Sequence, residues 1–364
     1  MRSAPRPGPA WLLLLLPWLV ACGRGDMPAT APAGADADAA AWVAPLQRQV
    51  VAIDQAMPGD FGVYVHRSGP PGRAGTLDLG ADRAWYLSST IKVPVAVAVL
   101  EAVDAGDLSL EDELELTAAD FVDGAGDMLQ HAPGERFSIA TLLEKSLRDS
   151  DSTATDMLIR RIGEDRLNAR IEAWTGGGFG RITTILQVRY DAYGALHPQV
   201  AQLDNRQLLA LRQAEAGEPR LQALARTLGV PRQALGGTTM EQVFEDYYAR
   251  GLNSATLPAF GRLLQRLAAG ELLSPRSTSL LLEHMRRIST GGRRIQAGLP
   301  EGADFAQKTG TQQQRACNVG ILDPENGGSG ATVVVACAER FGELAQAEQA
   351  FQALGRALAS ARGD

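Results

Sequence analysis

The chain has 364 residues, 45% of them hydrophobic, with 35 basic against 42 acidic side chains and a net charge of −7. That length supports one large core or two modest ones. The acidic balance argues against binding nucleic acid through a basic patch.

In chain order, Arg2 and Arg6 precede the apolar run 11-WLLLLLPWLVA-21, which is too short to span a bilayer and reads as a signal-peptide core. It ends in 19-LVAC-22, which resembles the lipobox of bacterial lipoproteins. That resemblance implies cleavage after residue 21 and a lipid on Cys22; the plainer reading is an ordinary secretory signal with a chance cysteine. Residues 22–42, rich in Ala, Pro, Gly and Asp, read as a flexible tether. The expected location is the periplasm, lipid-anchored at the outer membrane of a Gram-negative bacterium.

The body begins at residue 43. Residues 42–56 have helical spacing, 61-FGVYVH-66 alternates as a strand, and 76-TLDLG-80 is a weaker second strand. A helix opens in 85-WYLSSTIKVPVAVAVL-100. From about 106 to 285 the pattern is mainly helical, at 139–147, 153–162, 207–216, 240–251, 257–270 and 278–288. Strands return at 304–310, 316–322 and 331–338, and 341–362 is a long amphipathic helix. Strands at both ends around a helical middle imply an α/β (α+β) body, 43–105 with 286–364, interrupted by an all-helical part. A hairpin loop centred near Gly327 sets Cys317 opposite Cys337; they read either as a cross-strand disulfide in an oxidising compartment or as two core thiols.

Three short stretches carry chemistry. Ser89 and Lys92 lie three apart on a helix and share a face, so the amine reaches the hydroxyl. As a passenger in an apolar helix, Lys92 would cost several kcal/mol; as a base beside Ser89 it would activate a nucleophile. Ser150-Asp151-Ser152 opens another helix and reads as a cap by itself. Lys308-Thr309-Gly310 lies on a strand, where glycine permits close approach. No G-x-S-x-G elbow or P-loop occurs, 176-GGGFG-180 does not fit a dinucleotide fingerprint, and His66, His131, His197 and His284 lack ligand spacing. No metal and no cofactor are expected.

In this order, the S-x-x-K, S-D-x and K-T-G stretches resemble the serine β-lactamase and penicillin-binding protein superfamily, and class A β-lactamases in particular. The resemblance covers most of 43–364, including 290-TGGRRIQAGLP-300 and the K-V-P at Lys92-Val93-Pro94. It implies an antiparallel sheet of roughly five strands, helices on both faces and an all-helical domain. It implies Ser89 as the acylated nucleophile, Lys92 as base or proton relay, and Ser150 as proton donor to the leaving nitrogen. Lys308 and Thr309 would attract the substrate carboxylate, and the backbone N–H groups of Ser89 and Thr311 would form an oxyanion hole. Arg294 reads either as an added carboxylate-binding arginine or as a surface salt-bridge partner.

Two departures stand out. Ser152 replaces the asparagine of S-D-N. The loop glutamate that activates the deacylating water in class A enzymes, expected near 186, is missing from 182-ITTILQVRYDAYGALHPQV-200. The E-x-x-L-N match at Glu164–Asn168 lies too soon after Ser150 and reads as a decoy, which leaves Asp191 as a substitute. An insertion near 195–250 would elaborate the rim of the site. The expected partner is a small-molecule substrate, a β-lactam or a cell-wall peptide. The alternatives are a D,D-peptidase- or esterase-like hydrolase and a non-catalytic envelope lipoprotein.

Overall fold

The computed structural model describes residues 40–326 and 329–362. The signal-peptide segment, Cys22, residues 23–39 and Gly327 lie outside the described residues. Helix α1 (Val43–Ala56) leads into β1 (Asp60–Arg67) and β2 (Gly75–Leu79). The short β3 (Trp85–Tyr86) and a 3-10 turn (Ser88–Ile91) run directly into α2 (Lys92–Asp104). Next come β4 (Glu113–Glu115), β5 (Arg136–Ser138), α3 (Ile139–Arg148), α4 (Ser152–Ile162), α5 (Glu164–Thr175) and α6 (Ile185–Gly194). Helices α7 (Asn205–Ala210), α8 (Glu218–Leu228) and α9 (Met240–Ala249) precede β6 (Ser254–Ala255), α10 (Leu257–Ala268), α11 (Pro275–Arg286) and the single turn α12 (Ile295–Gly298). The chain closes with β7 (Phe305–Gln312), β8 (Arg315–Leu322), β9 (Thr332–Glu339) and α13 (Leu344–Arg362).

Five strands form one antiparallel sheet, ordered β2-β1-β9-β8-β7. Both faces are covered. Alternate residues of β9 go to opposite sides, as the strand period requires. Val333, Val335 and Cys337 join the core under the helices, while Val334, Ala336 and Ala338 pack under α1 and α13. With both faces buried, β8 and β9 read as near-continuous apolar runs. Cys317 stands directly opposite Cys337, and the two are joined as a disulfide.

The centre of the larger core is α2, with ten of its thirteen residues buried despite five valines, which ordinarily disfavour helix. Tertiary packing overrides propensity here. Pro94 is the third residue of α2, where a missing N–H breaks no intrahelical bond.

Several boundaries differ from expectation. The packed body includes residues before the expected start at 43: Ala40 and Trp42 are buried, the Trp42 indole donates to Arg73 O at 3.0 Å, and the Arg67 guanidinium lies over its ring. The helix expected at 207–216 ends at Ala210, and a 3-10 turn (Leu211–Gln213) gives way to extended backbone at Ala214. That break lets Leu211 and Leu221 meet in a third, smaller core. This core, built on α6 to α9 with Tyr86, occupies the region expected as an insertion. Arg315 on β8 ion-pairs with Glu245 at 2.6 Å, and the Tyr248 hydroxyl bonds Gln312 Oε1 at 3.1 Å, docking this core on the β7–β8 hairpin.

Candidate active site

The site lies where the turn before α2, the start of α4 and edge strand β7 converge. Two serines there have left-handed backbone: Ser88, φ 49°, just before Ser89, and Ser150, φ 58°, between α3 and α4. Such conformations cost roughly 1–3 kcal/mol each and persist where surroundings enforce them. One enforcing contact is Gly310. A Cβ there would lie 2.6 Å from Leu87 O and 2.7 Å from Ser89 N, so only glycine lets β7 press against the Ser88–Ile91 turn.

Lys92 Nζ is 3.0 Å from Ser89 Oγ, 2.6 Å from Ser150 O and 3.2 Å from Ser150 Oγ. Lys308 Nζ donates to the same Ser150 Oγ at 2.9 Å and to Thr309 O at 3.0 Å. Ser150 Oγ therefore sits between two fully buried amines. Burial pulls Lys92 down to about 7, although Asp151 and Asp156 oppose the shift. Burial first, then the charges of Lys92 and Arg294, pull Lys308 well below the usual lysine range. An amine near 7 is half neutral at neutral pH. In that state it keeps two N–H bonds for Ser150 and offers its lone pair to the Ser89 hydroxyl proton.

Asp151 does not enter the cleft. Its carboxylate caps α4 through Ala154 N (2.9 Å) and accepts from Met128 N (2.9 Å). Ser152 borders the cleft, and a Cβ at neighbouring Gly124 would collide with its hydroxyl. On the opposite wall, Thr309 Oγ1 meets Thr290 Oγ1 at 2.8 Å. The two-residue turn Gln313-Gln314, with Gln313 at φ 48°, makes Gln312 and Arg315 a hydrogen-bonded pair. By alternation, the backbone groups of Thr309 and Thr311 point away from β8, which directs the Thr311 N–H toward the cleft.

The surface salt-bridge reading of Arg294 does not hold. It is buried, donates to Gly310 O (3.0 Å) and Cys317 O (2.8 Å), and also bonds Thr311 Oγ1. It borders the cleft while bracing β7 from behind.

Asp191 does not border the cleft either. It lies on the far side of α6, 3.4 Å from Arg250 Nη2 and accepting from Gln187 Nε2 at 2.9 Å. Glu164, at the start of α5, accepts from Thr184 N (3.0 Å) and faces Arg181 (3.2 Å). The stretch expected as a loop is helix α6, and it presents Ile185, Val188 and Arg189 to the cleft. Among the described residues bordering the cleft, the carboxylates are Asp123 and Glu348. Both are ion-paired, Asp123 with Arg189 and Arg212, Glu348 with Arg293.

Sequence reasoning missed Asp156. It is fully buried on α4, and its two oxygens accept the N–H groups of Ile185 (2.7 Å) and Leu186 (2.8 Å). Burial pushes it up to about 6 against those two bonds. A carboxylate at a helix N-terminus is favourable, and this one fixes where α6 begins. The available signal was a lone acid one turn beyond Ser152 in an apolar helix.

Fold and cluster together define a β-lactamase-like α/β protein with a serine–lysine centre. The sequence model described as the Beta-lactamase enzyme family matches residues 45–361, and the chain belongs to that family. It is 26% identical over 308 residues to a β-lactamase of Mycobacterium tuberculosis, covering 82% of this chain and 79% of the relative. With a β-lactamase of Streptomyces albus G it shares 24% over 315 residues, covering 85% and 82%. Among solved structures, the fold is similar to that of PBP-A, determined as a mutant in an acyl-enzyme complex with penicillin G (TM-score 0.64, 24% identity, 88% of this chain and 97% of that one). It is also similar to the TLA-1 extended-spectrum β-lactamase (TM-score 0.67, 16% identity, 88% and 99%).

Proposed function

We propose that the protein is a serine hydrolase that forms an acyl-enzyme at Ser89 with β-lactams and releases it slowly. The observation that carries this is Lys92 Nζ 3.0 Å from Ser89 Oγ, buried and drawn down to about 7. In acylation, Ser89 Oγ attacks the lactam carbonyl carbon while its proton passes to neutral Lys92. The N–H groups of Ser89 and Thr311 receive the developing oxyanion, worth about 3–4 kcal/mol per donor. The C–N bond then breaks, and the nitrogen takes a proton relayed through Ser150, which bonds both lysines. Lys308 and Thr309 hold the substrate carboxylate. Water later cleaves the Ser89 ester.

Release is the slow step because the α6 wall offers Ile185 and Val188, and the cleft carboxylates are occupied by arginines. The same chemistry supports a second reading, acyl transfer from a cell-wall D,D-peptide. The 19-LVAC-22 stretch supports a periplasmic enzyme anchored through Cys22.

The test is incubation of the protein with a fluorescent penicillin and a chromogenic cephalosporin. A covalent adduct at Ser89 that outlives its formation and vanishes in Ser89→Ala is the expected result. Rapid cephalosporin turnover refutes slow release, and failure to form any adduct refutes the reading.

A further inference from the structure

On the cleft wall opposite Lys308 and Thr309, one carboxylate, Asp123, answers two guanidiniums. Three carboxylates of the segment between β4 and β5 reach across to other elements. Asp120 is matched by Arg160 (2.5 Å) and Asp127 by Lys145 (2.5 Å). Asp123 is matched twice, by Arg189 Nε at 2.5 Å and by Arg212 Nε at 3.5 Å. Asp123 therefore faces two guanidiniums, and of these Arg189 borders the cleft. The remaining neighbours of Arg189 bring no negative charge: the buried Tyr86 and Tyr193 and the half-buried Tyr248 are phenols held above their usual range by burial. Arg220, near Tyr193, brings a further positive charge. The other cleft acid, Glu348, is paired with Arg293 at 2.9 Å.

Arg189 follows Ile185 by one turn of α6, so the two share a helix face, and both border the cleft. Its Nη1 is buried and finds no hydrogen-bond partner among the described residues. A buried donor left unmade is costly, and a ligand acceptor would satisfy it. Asp123 fixes the guanidinium through Nε, so Nη1 is oriented in advance.

We infer that Arg189, positioned by Asp123, forms an anion subsite for a carboxylate on the acyl side chain of the substrate. The protein is then selective for acyl donors that carry this second negative charge besides the carboxylate held by Lys308 and Thr309. The inference rests on the acylating-serine reading above. A merely structural latch between the loop and α6 is the competing role of the Asp123–Arg189 pair.

The matched probes are carbenicillin and benzylpenicillin, which differ by one side-chain carboxylate. The readout is the ratio of their second-order rate constants for acylating Ser89, a ratio that cancels general damage to the site. Arg189→Gln is expected to lower the carbenicillin-to-benzylpenicillin ratio about tenfold or more, as loss of a charge-assisted hydrogen bond does. Asp123→Asn removes the competing anion and is expected to raise it. Both variants break the same ion pair, so a structural latch predicts shifts in the same direction, or none, and either result overturns the inference. Raising the salt concentration is expected to lower the wild-type ratio and leave that of Arg189→Gln unchanged. If wild-type Ser89 is not acylated by either penicillin, the functional reading fails by itself. The subsite is then decided by calorimetric binding of the two penicillins to Ser89→Ala. Tighter carbenicillin binding that Arg189→Gln abolishes supports it; equal binding, or none, refutes it.

Discussion

Acylation should titrate with Lys92. If the neutral amine takes the Ser89 proton, the rate follows the fraction of Lys92 that is unprotonated. With Lys92 at about 7, that fraction is near one half at pH 7, one tenth at pH 6 and nine tenths at pH 8. An ordinary lysine at 10.5 would be neutral only about once in three thousand at pH 7. Burial thus supplies roughly three orders of magnitude more usable base, at a cost of about 5 kcal/mol in protonation free energy. The second-order rate constant for labelling by a fluorescent penicillin, measured from pH 5 to 9, should rise about tenfold from pH 6 to a plateau above pH 8. Because Lys92 and Lys308 share Ser150, the limb belongs to the pair. Asp156 holds Lys92 up, so Asp156→Asn should move the limb to lower pH. A flat profile, a limb centred above pH 9, or an upward move in Asp156→Asn would refute the neutral-lysine mechanism.

Two further outcomes follow from the geometry. Ile185→Glu places a carboxylate on the cleft wall at the start of α6 and should shorten the lifetime of the penicillin adduct by roughly 10²-fold, the lower end of general-base catalysis. An unchanged lifetime by gel or mass spectrometry would show that the wall does not limit release. Gly310→Ala puts a methyl 2.6–2.9 Å from the Leu87–Ser89 backbone and the Ser88 side chain, and should abolish labelling and lower the melting temperature; retained labelling would show that β7 need not press on the turn.

The sequence by itself determined the serine–lysine pair and the sheet. Ser89 and Lys92 meet because helical spacing puts them on one face, and the strands of β1, β7, β8 and β9 are marked by alternation or apolar runs between turn residues. The Cys317–Cys337 pairing was half legible, since the loop fixed the register while the bond itself was one of two readings. What only the tertiary structure decided lies in contacts between distant segments. Asp156 starts α6 from another helix, Arg294 is buried because β7 and α13 close over it, and Asp191 turns away to Arg250. Likewise, Asp123 and Arg189 lie 66 positions apart, and no local period predicts their meeting. Periodicity reports how a segment faces its own surroundings. Which charges confront one another across a cleft is set by how whole elements pack.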